Sequence, residues 1–245
     1  MNIEEKEGIE IDFWKNSETE NPTTFTNQNF LNKMSEAKIF YHLFLRYKLY
    51  FNNANSILEI GGGQGWASCL VKKEQNSSSV QLSDISHYAI ESLIYWEKIF
   101  NVKLENKFAC KSYEIPLPDK SVDLVYCFAA AHHFVEQKKT LKEIKRVLKP
   151  NGVCLYLYEP TCRKFIYPLA FKRVNSKRPE VPEDLLIVKE ILRFGRELGL
   201  KSSYDYFYST ESRGPIATVY YLILSKFKFL AHVLPCTANF IFIKE

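Results

Sequence analysis

The chain has 245 residues, 46% of them hydrophobic, enough for one α/β domain with elaborations or for two small domains. Its polar, acidic start argues against a secretory signal, and no uninterrupted stretch of about 18 apolar residues would span a membrane, so a cytoplasmic protein is expected. The six cysteines form no CxxC pair and show no metal-ligand spacing, which predicts reduced thiols and no metal site.

The formal net charge of +5 is unevenly distributed. Residues 1–25 carry a net charge of −5 and are expected to form a flexible acidic tail, whereas the remainder carries +10. A net positive charge of this kind is typical of proteins that bind anionic substrates, membrane surfaces or nucleic acid. No linker divides the rest of the chain, so a single domain is predicted over residues 26–245.

Apolar residues at helical spacing over 31–51 predict a helix before the first strand. From there strands and helices alternate, which indicates a parallel, doubly wound sheet. The predicted strands are 56–60, 80–84, 107–111, 122–128 and 153–158, and the predicted helices between them are 64–73, 86–100 and 138–148.

After the fifth strand the alternation ends. The remaining predicted elements are a basic loop (161–178), a helix from Pro182 to about Leu198, a strand (203–208), an apolar segment (216–234) and a last strand (239–244). Residues 55–160 are expected to bind a cofactor, and residues 161–236 to form the acceptor side.

The stretch ILEIGGGQG, residues 57–65, places four glycines in five positions directly after the first strand. A phosphate-binding P-loop requires a Lys-Ser/Thr pair after its last glycine, where this chain has Trp66-Ala67, so that ligand is excluded. A dinucleotide fingerprint requires a small residue where Trp66 stands, which disfavours NAD and its relatives.

An acid-x-Gly-x-Gly-x-Gly pattern fits a third kind of ligand, a cationic nucleoside. Glu59 precedes the glycines, and a carboxylate there would repel a pyrophosphate but suits an ammonium and a sulfonium. Asp84 ends the second strand, where an acid can accept both hydroxyls of a ribose. These residues predict S-adenosylmethionine; the alternatives are that the glycine loop is only a tight turn and that Asp84 caps the next helix.

Four sequence blocks within residues 55–160 carry a family resemblance: ILEIGGGQG, LSDIS, YEIPLPDKSVDLVYCFAAAHHF and IKRVLKPNGVCLYLYEP. With these blocks in this order, the chain resembles the class I S-adenosylmethionine-dependent methyltransferases of the type 11, ubiquinone-methyltransferase-like group. The resemblance implies S-adenosylmethionine as cofactor. It also implies a Rossmann-like, mostly parallel sheet of seven strands with an antiparallel last strand, a helical N-terminal extension and a helical insertion before the last strand.

The same resemblance implies which residues bind the cofactor. Glu59 and the glycines would hold the methionine end, Asp84 would hold the ribose, and the adenine would lie against Ile85 and the main chain after the third strand. The cofactor-binding residues implied are Glu59, Gly61, Gly63, Gly65, Asp84, Ile85, Ser112, Tyr113 and Phe128. Family members often have an acid where this chain has Lys111, so the contact to the adenine amino group is in question and Ser112 is the candidate replacement.

His132 and His133 follow the fourth strand, on the side where the methyl group would be transferred. Methyl transfer gains from alignment of nucleophile and sulfonium, and a hydroxyl nucleophile benefits from a base whose pKa lies near ambient pH. His133 is the first candidate base, and His132 and Glu159 are the further catalytic candidates. The alternative for each histidine is packing or helix capping.

The basic loop, with aromatic residues interleaved, indicates an anionic acceptor such as a phosphorylated or nucleotide-linked sugar or a lipid-linked intermediate; a solvated surface is the alternative. Nucleic acid is disfavoured, because the fourth strand lacks the Asn/Asp-Pro-Pro-aromatic motif of adenine-modifying relatives. The apolar segment 216–234 is expected to be a lid over the acceptor pocket, with a peripheral membrane contact as the alternative.

The sequence therefore predicts an S-adenosylmethionine-dependent methyltransferase that acts on a small, anionic acceptor, at oxygen. The alternatives are C-methylation of a quinone or lipid-like acceptor and a cofactor-binding protein without catalytic activity.

Overall fold

The computed structural model describes residues 2–18, 20, 26–176 and 183–245. Its strands are β1 (Ser56–Ile60), β2 (Ser79–Asp84), β3 (Asn106–Ala109), β4 (Val122–Phe128), β5 (Leu148–Cys162), β6 (Leu186–Ile187), β7 (Leu200–Tyr206) and β8 (Cys236–Lys244). They form one sheet in the order β3-β2-β1-β4-β5-β8-β7, and β6 pairs with the end of β5. All pairs are parallel except those of β8, which runs antiparallel to both β5 and β7.

The α-helices of the described residues lie around this sheet. They are α1 (Ile3–Asn16), α2 (Asn27–Arg46), α3 (Lys48–Asn52), α4 (Trp66–Glu74), α5 (His87–Glu91), α6 (Leu93–Phe100), α7 (Gln137–Val147), α8 (Tyr167–Asn175), α9 (Val188–Glu197) and α10 (Pro215–Lys226), with short 3-10 helices at Ala131–His133 and Lys228–His232. The predicted Rossmann-like fold, with its antiparallel last strand, is confirmed, and β6 adds a short eighth strand.

Both faces of the sheet are buried. Successive side chains of a strand point to opposite faces, and helices cover each face. In β1, Ile57 and Leu58 are both fully buried and belong to different hydrophobic clusters. Phe40 of α2 and Trp96 of α6 pack in the cluster of Ile57, whereas Ile144 of α7 packs in that of Leu58. The two clusters hold the strands rigidly beneath the loops that follow them.

The order of the strands reverses between β1 and β4, which pair in parallel at the centre of the sheet. β1 also pairs in parallel with β2, so the carboxyl ends of β1, β2 and β4 meet at one edge. In open α/β sheets ligands bind outside this edge, at the point of reversal. Glu59, Asp84 and Phe128 lie at the ends of these three strands.

The N-terminal segment differs from the predicted flexible tail. Residues 3–16 form α1, which begins with a capping box: the Asn2 side chain accepts the Glu5 N–H (2.8 Å), and the Glu5 carboxylate accepts the Asn2 N–H (2.9 Å). The helix packs against α5 and buries Glu7. The tail prediction was wrong for this helix, because part of its acidic charge faces the rest of the protein; residues 19 and 21–25 lie outside the described residues.

Other elements differ in detail. The helix predicted over 86–100 is divided at Ser92 into α5 and α6, and part of the predicted basic loop forms α8. The helix expected from Pro182, a residue outside the described part of the chain, begins only at Val188. Leu186 and Ile187 before it pair with Thr161 and Cys162 of β5, which keeps the backbone extended. Nowhere in the described ranges is a helix both long and apolar enough to cross a bilayer.

Candidate active site

β1 ends in a bend whose backbone requires glycine. Gly61, Gly63 and Gly65 have positive φ angles of 64°, 53° and 82°, in the left-handed region that side chains disfavour. A Cβ on Gly61 would lie 2.9 Å from the Cβ of Ala130, and one on Gly65 would lie 2.6 Å from the side chain of Leu82. The glycines therefore let the backbone of the bend approach its neighbours closely.

Asp84, at the end of β2, fixes this bend. Its Oδ2 accepts the N–H of Gly63 (2.8 Å) and its Oδ1 accepts the N–H of Ser86 (2.9 Å). Burial raises the pKa of Asp84 to about 6, against the lowering effect of these backbone hydrogen bonds. The carboxyl group is held in one orientation at the wall of a cavity.

Glu59 lies beside the bend with only 2% of its surface exposed. Its Oε2 accepts a hydrogen bond from the Ser68 hydroxyl of α4. Burial raises the pKa of Glu59 to about 8, although hydrogen bonds from Ser68 and Tyr126 act in the opposite direction. A cation bound nearby would favour the ionised form of both acids, so this end of the sheet suits a positively charged ligand.

Two cavities meet above the sheet edge. The first, of about 560 Å³, is lined among others by Asp84, Ile85, Ser112 and Tyr113, and the second, of about 710 Å³, by Glu59, Gly63 and Phe128. Gly61, His132 and His133 line both cavities. Both volumes are typical of small-molecule sites. Of the predicted cofactor-binding residues, Gly65 lines neither cavity and instead packs beneath Leu82 and Leu93.

Helix α1 covers the cofactor side of these cavities. A Cβ on Gly63 would lie 3.1 Å from the ring of Trp14. Glu7 accepts a hydrogen bond from the Tyr113 hydroxyl (2.5 Å) and pairs with the Lys111 ammonium (2.9 Å). The helix thus brings an acid to the region where Lys111 replaces the acid of many relatives. Ser112, the candidate replacement, is hydrogen bonded to Thr140 (2.8 Å between hydroxyl oxygens).

Sequence reasoning missed Trp14 and Glu7 because it assigned them to a tail. A signal was present: Asn2 and Glu5 have the spacing of a capping box, which marks the start of a helix.

Glu159 lies in β5 just after an irregularity in its pairing with β8, which falls between Tyr156 and Glu159. The carboxylate is fully buried and accepts the backbone N–H groups of Ala130 (3.0 Å), Ala131 (2.9 Å) and His132 (3.1 Å). It therefore shapes the 3-10 turn that carries the two histidines.

His132 is held between two carboxylates. Its Nδ1 lies 2.8 Å from Glu159 Oε2 and its Nε2 lies 3.0 Å from Glu183 Oε2. Burial alone would lower the pKa of His132, but the hydrogen bonds and charges of the two glutamates outweigh it and raise the pKa to about 10. In this arrangement His132 is a cation at neutral pH, which does not suit a general base.

His133 has the opposite character. Its side chain is partly buried, and its Nδ1 lies 3.4 Å from Glu10 Oε2 of α1. Burial, and then the positive charge of His132, lowers the pKa of His133. A neutral imidazole on the wall of both cavities can accept a proton from a bound molecule.

The structure brings the predicted catalytic residues His132, His133 and Glu159 together. It adds Glu10 and Glu183. Sequence reasoning missed them because each lies at least 50 residues from the histidines along the chain and belongs to no motif.

The predicted basic loop contributes aromatic rather than basic side chains to the first cavity. Tyr167 and Phe171 line it. By contrast, Arg163 donates to the carbonyl oxygen of His232 (2.6 Å), Lys164 pairs with Glu190 (3.5 Å), and Lys172 and Arg173 are exposed. Lys177 and Arg178 lie outside the described residues. Within the described part of the lining, acids such as Glu7, Glu10 and Asp184 outnumber the one lysine, Lys6.

The apolar insertion also differs from its prediction as a lid. α10 buries Tyr221 and Leu224 against Cys236 of β8, and no residue of α10 lines either of the two cavities. The hydrophobic contacts of its inner face hold it on the sheet's flank rather than over the acceptor pocket.

Comparison with known proteins finds similarity to methyltransferases over part of the chain. The methyltransferase-domain family matches residues 58–156. An uncharacterized methyltransferase of Schizosaccharomyces pombe is 34% identical over 104 residues, which cover 41% of this chain and 38% of that protein. A ubiquinone/menaquinone biosynthesis C-methyltransferase of Cupriavidus taiwanensis is 28% identical over 105 residues, 42% of each protein. The matches thus span about two fifths of the length of these relatives.

Among solved structures, a putative sarcosine dimethylglycine methyltransferase from Galdieria sulphuraria superposes with a TM-score of 0.65 at 16% identity. The superposition covers 85% of this chain and 86% of that one, so the shared fold extends well beyond the 99-residue match to the family.

Proposed function

We propose that the chain is a class I S-adenosylmethionine-dependent methyltransferase that methylates a hydroxyl oxygen of a small acceptor, as the family match over residues 58–156 supports. The observation that carries the proposal is a neutral imidazole, His133, at the junction of the two cavities, next to the glycine bend. A hydroxyl needs a proton acceptor when it attacks, and His133 offers one at the right edge of the sheet.

The residues at this edge fit the cofactor. Glu59 and Asp84 are buried acids whose pKa values are raised by burial, and an ammonium and a sulfonium nearby would favour their ionised forms. We assign Glu59 with Gly61 and Gly63 to the methionine end, and Asp84 to the ribose hydroxyls. Ile85, Ser112 and Tyr113 are assigned to the adenine end, with Phe128 on the opposite side of the bend.

When bound, the cofactor would supply an electrophilic methyl group, with its sulfonium sulfur as the leaving group that keeps the carbon–sulfur bonding pair. His133 accepts the proton that the acceptor hydroxyl loses. Burial lowers the pKa of His133, and the charge of His132, kept cationic by Glu159 and Glu183, lowers it further, so His133 is neutral in the resting site. Trp14 and the rest of α1 exclude water from the reacting atoms. Glu159 is a positioning residue in this scheme, because its contacts are with the histidine turn.

The test is transfer of labelled methyl from S-adenosylmethionine to a panel of small hydroxyl-bearing acceptors, some of them phosphorylated. In His133→Gln the turnover rate should fall about 100-fold, the usual contribution of a general base, while the affinity for S-adenosylmethionine stays unchanged. His42→Gln, which alters an exposed histidine elsewhere, is the matched control. Unchanged turnover in His133→Gln would remove the base from the proposal.

A second candidate function is C-methylation of a quinone-like acceptor. It is favoured by the similarity to the Cupriavidus C-methyltransferase and by the aromatic side chains Phe134, Tyr167, Phe171 and Phe194 on the first cavity. Mass spectrometry of the product distinguishes the two functions, since a methyl group on carbon survives ether cleavage and one on oxygen does not.

We further propose that α10 and the turn after it contact an anionic membrane surface near the acceptor side. Their outer face exposes large apolar side chains: Ile216, Val219, Leu222, Ile223, Phe227, Phe229 and Val233. Lys226 and Lys228 lie within this face, and residues 212–244 contain no acid. Apolar side chains flanked by lysines are typical of helices that lie in a membrane interface, where anionic lipids attract the basic residues.

A further inference from the structure

Three potential metal ligands converge where the two cavities meet. A ring nitrogen of His132, a ring nitrogen of His133 and a carboxylate oxygen of Glu183 all lie within 4.8 Å of one another. Of these atoms, His132 Nε2 and Glu183 Oε2 lie 3.0 Å apart. A tetrahedral ion with bonds of about 2.1 Å sets its ligand atoms about 3.4 Å apart, so small side-chain movements would bring the three into coordinating distance.

The surroundings of His132 match those of a metal-binding histidine. Glu159 already accepts three backbone N–H groups, and its Oε2 lies 2.8 Å from His132 Nδ1, so the Nδ1 hydrogen is directed to this carboxylate. That contact fixes the ring and turns Nε2 towards Glu183. Metal-binding histidines almost always donate their other ring N–H to a carboxylate or carbonyl in this way. Glu10, 3.4 Å from His133 Nδ1, gives the second histidine a carboxylate neighbour as well.

From this geometry we propose that His132, His133 and Glu183 bind a divalent metal ion of the zinc type. Two imidazoles and one carboxylate are ligands that Zn²⁺ accepts, and three protein ligands leave a coordination position open. Mg²⁺, which prefers oxygen ligands, is a poor match for this set.

The open position faces the cavities, and its use rests on the proposed function. The described lining of the first cavity carries acids that would repel an anionic acceptor, and the basic side chains described in the 161–178 loop do not reach it. A divalent ion at the histidines would carry more positive charge than the proton it displaces from His132, and it would bind an anionic or hydroxyl oxygen of the acceptor. With the ion bound, His133 is a ligand and does not act as the base. The ion instead lowers the pKa of the bound hydroxyl, whose proton passes to solvent. The role of His133 as a base applies to the ion-free protein.

Binding of the ion can be tested without acceptor or cofactor. The full chain is stripped with a chelator, dialysed and titrated with Zn²⁺ alone by calorimetry, with Mg²⁺ as the comparison. Wild-type protein should bind one equivalent of Zn²⁺, and Glu183→Gln should weaken this binding at least tenfold. His133→Asn should do the same, whereas His42→Asn, which alters the other histidine–carboxylate pair of the described residues, should leave it unchanged.

Co²⁺ in place of Zn²⁺ supplies a second readout, since its visible absorption bands report bound nitrogen and oxygen ligands. Glu183 is partly exposed and keeps its shape as glutamine, so the variant should fold; S-adenosylmethionine binding confirms that it has done so. No Zn²⁺ binding by the wild type, or equal affinity in a folded Glu183→Gln, would overturn the inference. Methyl transfer by metal-free protein at the full rate would refute the role of the ion in catalysis and leave the proposed function intact. Metal binding without transfer to any acceptor would support the metal site and refute the proposed function.

Discussion

The cofactor side and the acceptor side of the sheet edge are built from the chain in different ways. On the cofactor side, Glu59, Asp84 and Phe128 lie at the ends of neighbouring parallel strands, and each is followed directly by the bend or turn that completes its site. On the acceptor side, Glu10, Tyr167 and Glu183 come from α1, α8 and the segment before β6, which are far apart in sequence.

The difference has a physical origin. Parallel strands bring their carboxyl ends to one edge whatever their loops contain, so short motifs after each strand are sufficient to build a nucleoside site. The acceptor side depends on tertiary packing of helices onto that edge. Substitutions on the cofactor side should therefore strongly weaken the binding of one ligand. Substitutions in the covering helices should have smaller effects, which can be measured separately from one another.

The largest effect is expected for Asp84→Ala. The variant loses the carboxylate assigned to the ribose hydroxyls, and two charge-assisted hydrogen bonds are worth about 1.5–3 kcal/mol each. Affinity for S-adenosylmethionine and for its demethylated product should fall at least 100-fold, measured by calorimetry.

The control for Asp84→Ala is Asp123→Ala, at the opposite end of β1. Asp123 also accepts two backbone N–H groups, those of Asn55 (3.1 Å) and Ser56 (2.9 Å), but lies far from the cavities. If both variants lose affinity equally, Asp84 acts through the stability of the fold, and its assignment to the ribose is wrong.

The sequence was sufficient to predict the fold, because strand ends and glycine spacing are local features. The bounds of β1 and β4 were predicted to the residue. The sequence did not predict that α1 covers the bend or that Glu183 reaches His132, because no local pattern indicates which distant segment packs at this edge of the sheet. His132, His133 and Glu159 lie close together, but the cationic character of His132 depends on Glu159 and on the distant Glu183, and was not predictable.

The next effect concerns pH and again the cofactor side. Burial raises the pKa of Glu59 to about 8 and that of Asp84 to about 6, whereas in the unfolded chain these groups ionise near 4.5 and 3.8. A cationic ligand favours the ionised acids, so affinity for S-adenosylmethionine should rise about tenfold from pH 5.5 to 7.5. In Glu59→Gln this rise should be clearly smaller, and an equal rise would contradict the assignment.

Glu59 and Asp84 should have the opposite effect on the free energy of unfolding as the pH rises. Between pH 5 and 8 the folded, cofactor-free protein holds protons that the unfolded chain has released, so its free energy of unfolding should fall as the pH rises. His132, whose pKa is raised from 6.5 to about 10, adds to this fall: its stabilisation is full below about pH 6.5, decreases as the pH rises further and is lost above about pH 10. Thermal unfolding at several pH values, with and without cofactor, would show the two opposite trends.

A smaller effect is expected for Trp14→Ala in α1. The ring lies over Gly63 and lines both cavities, so its loss opens the cofactor side to water without removing a charged contact. Affinity for S-adenosylmethionine should fall about fivefold, about 1 kcal/mol, chiefly through faster dissociation in stopped-flow measurements. Ile3→Ala, on the same helix but away from both cavities, is the control. Unchanged affinity in Trp14→Ala would mean that α1 does not cover bound cofactor.

The smallest effect is expected on the outer face of the acceptor side, in Ile216→Ser of α10. Ile216 is 80% exposed, so the substitution removes apolar surface that the proposed membrane contact would bury. Binding to vesicles of phosphatidylcholine and phosphatidylglycerol should weaken about threefold, and cofactor affinity should stay unchanged. Leu49→Ser in α3, where the leucine is 71% exposed, removes a similar surface elsewhere and should leave vesicle binding unaltered. If Ile216→Ser instead dissociates a dimer in sedimentation experiments, the apolar face of α10 binds a second copy of the chain and the membrane proposal is wrong.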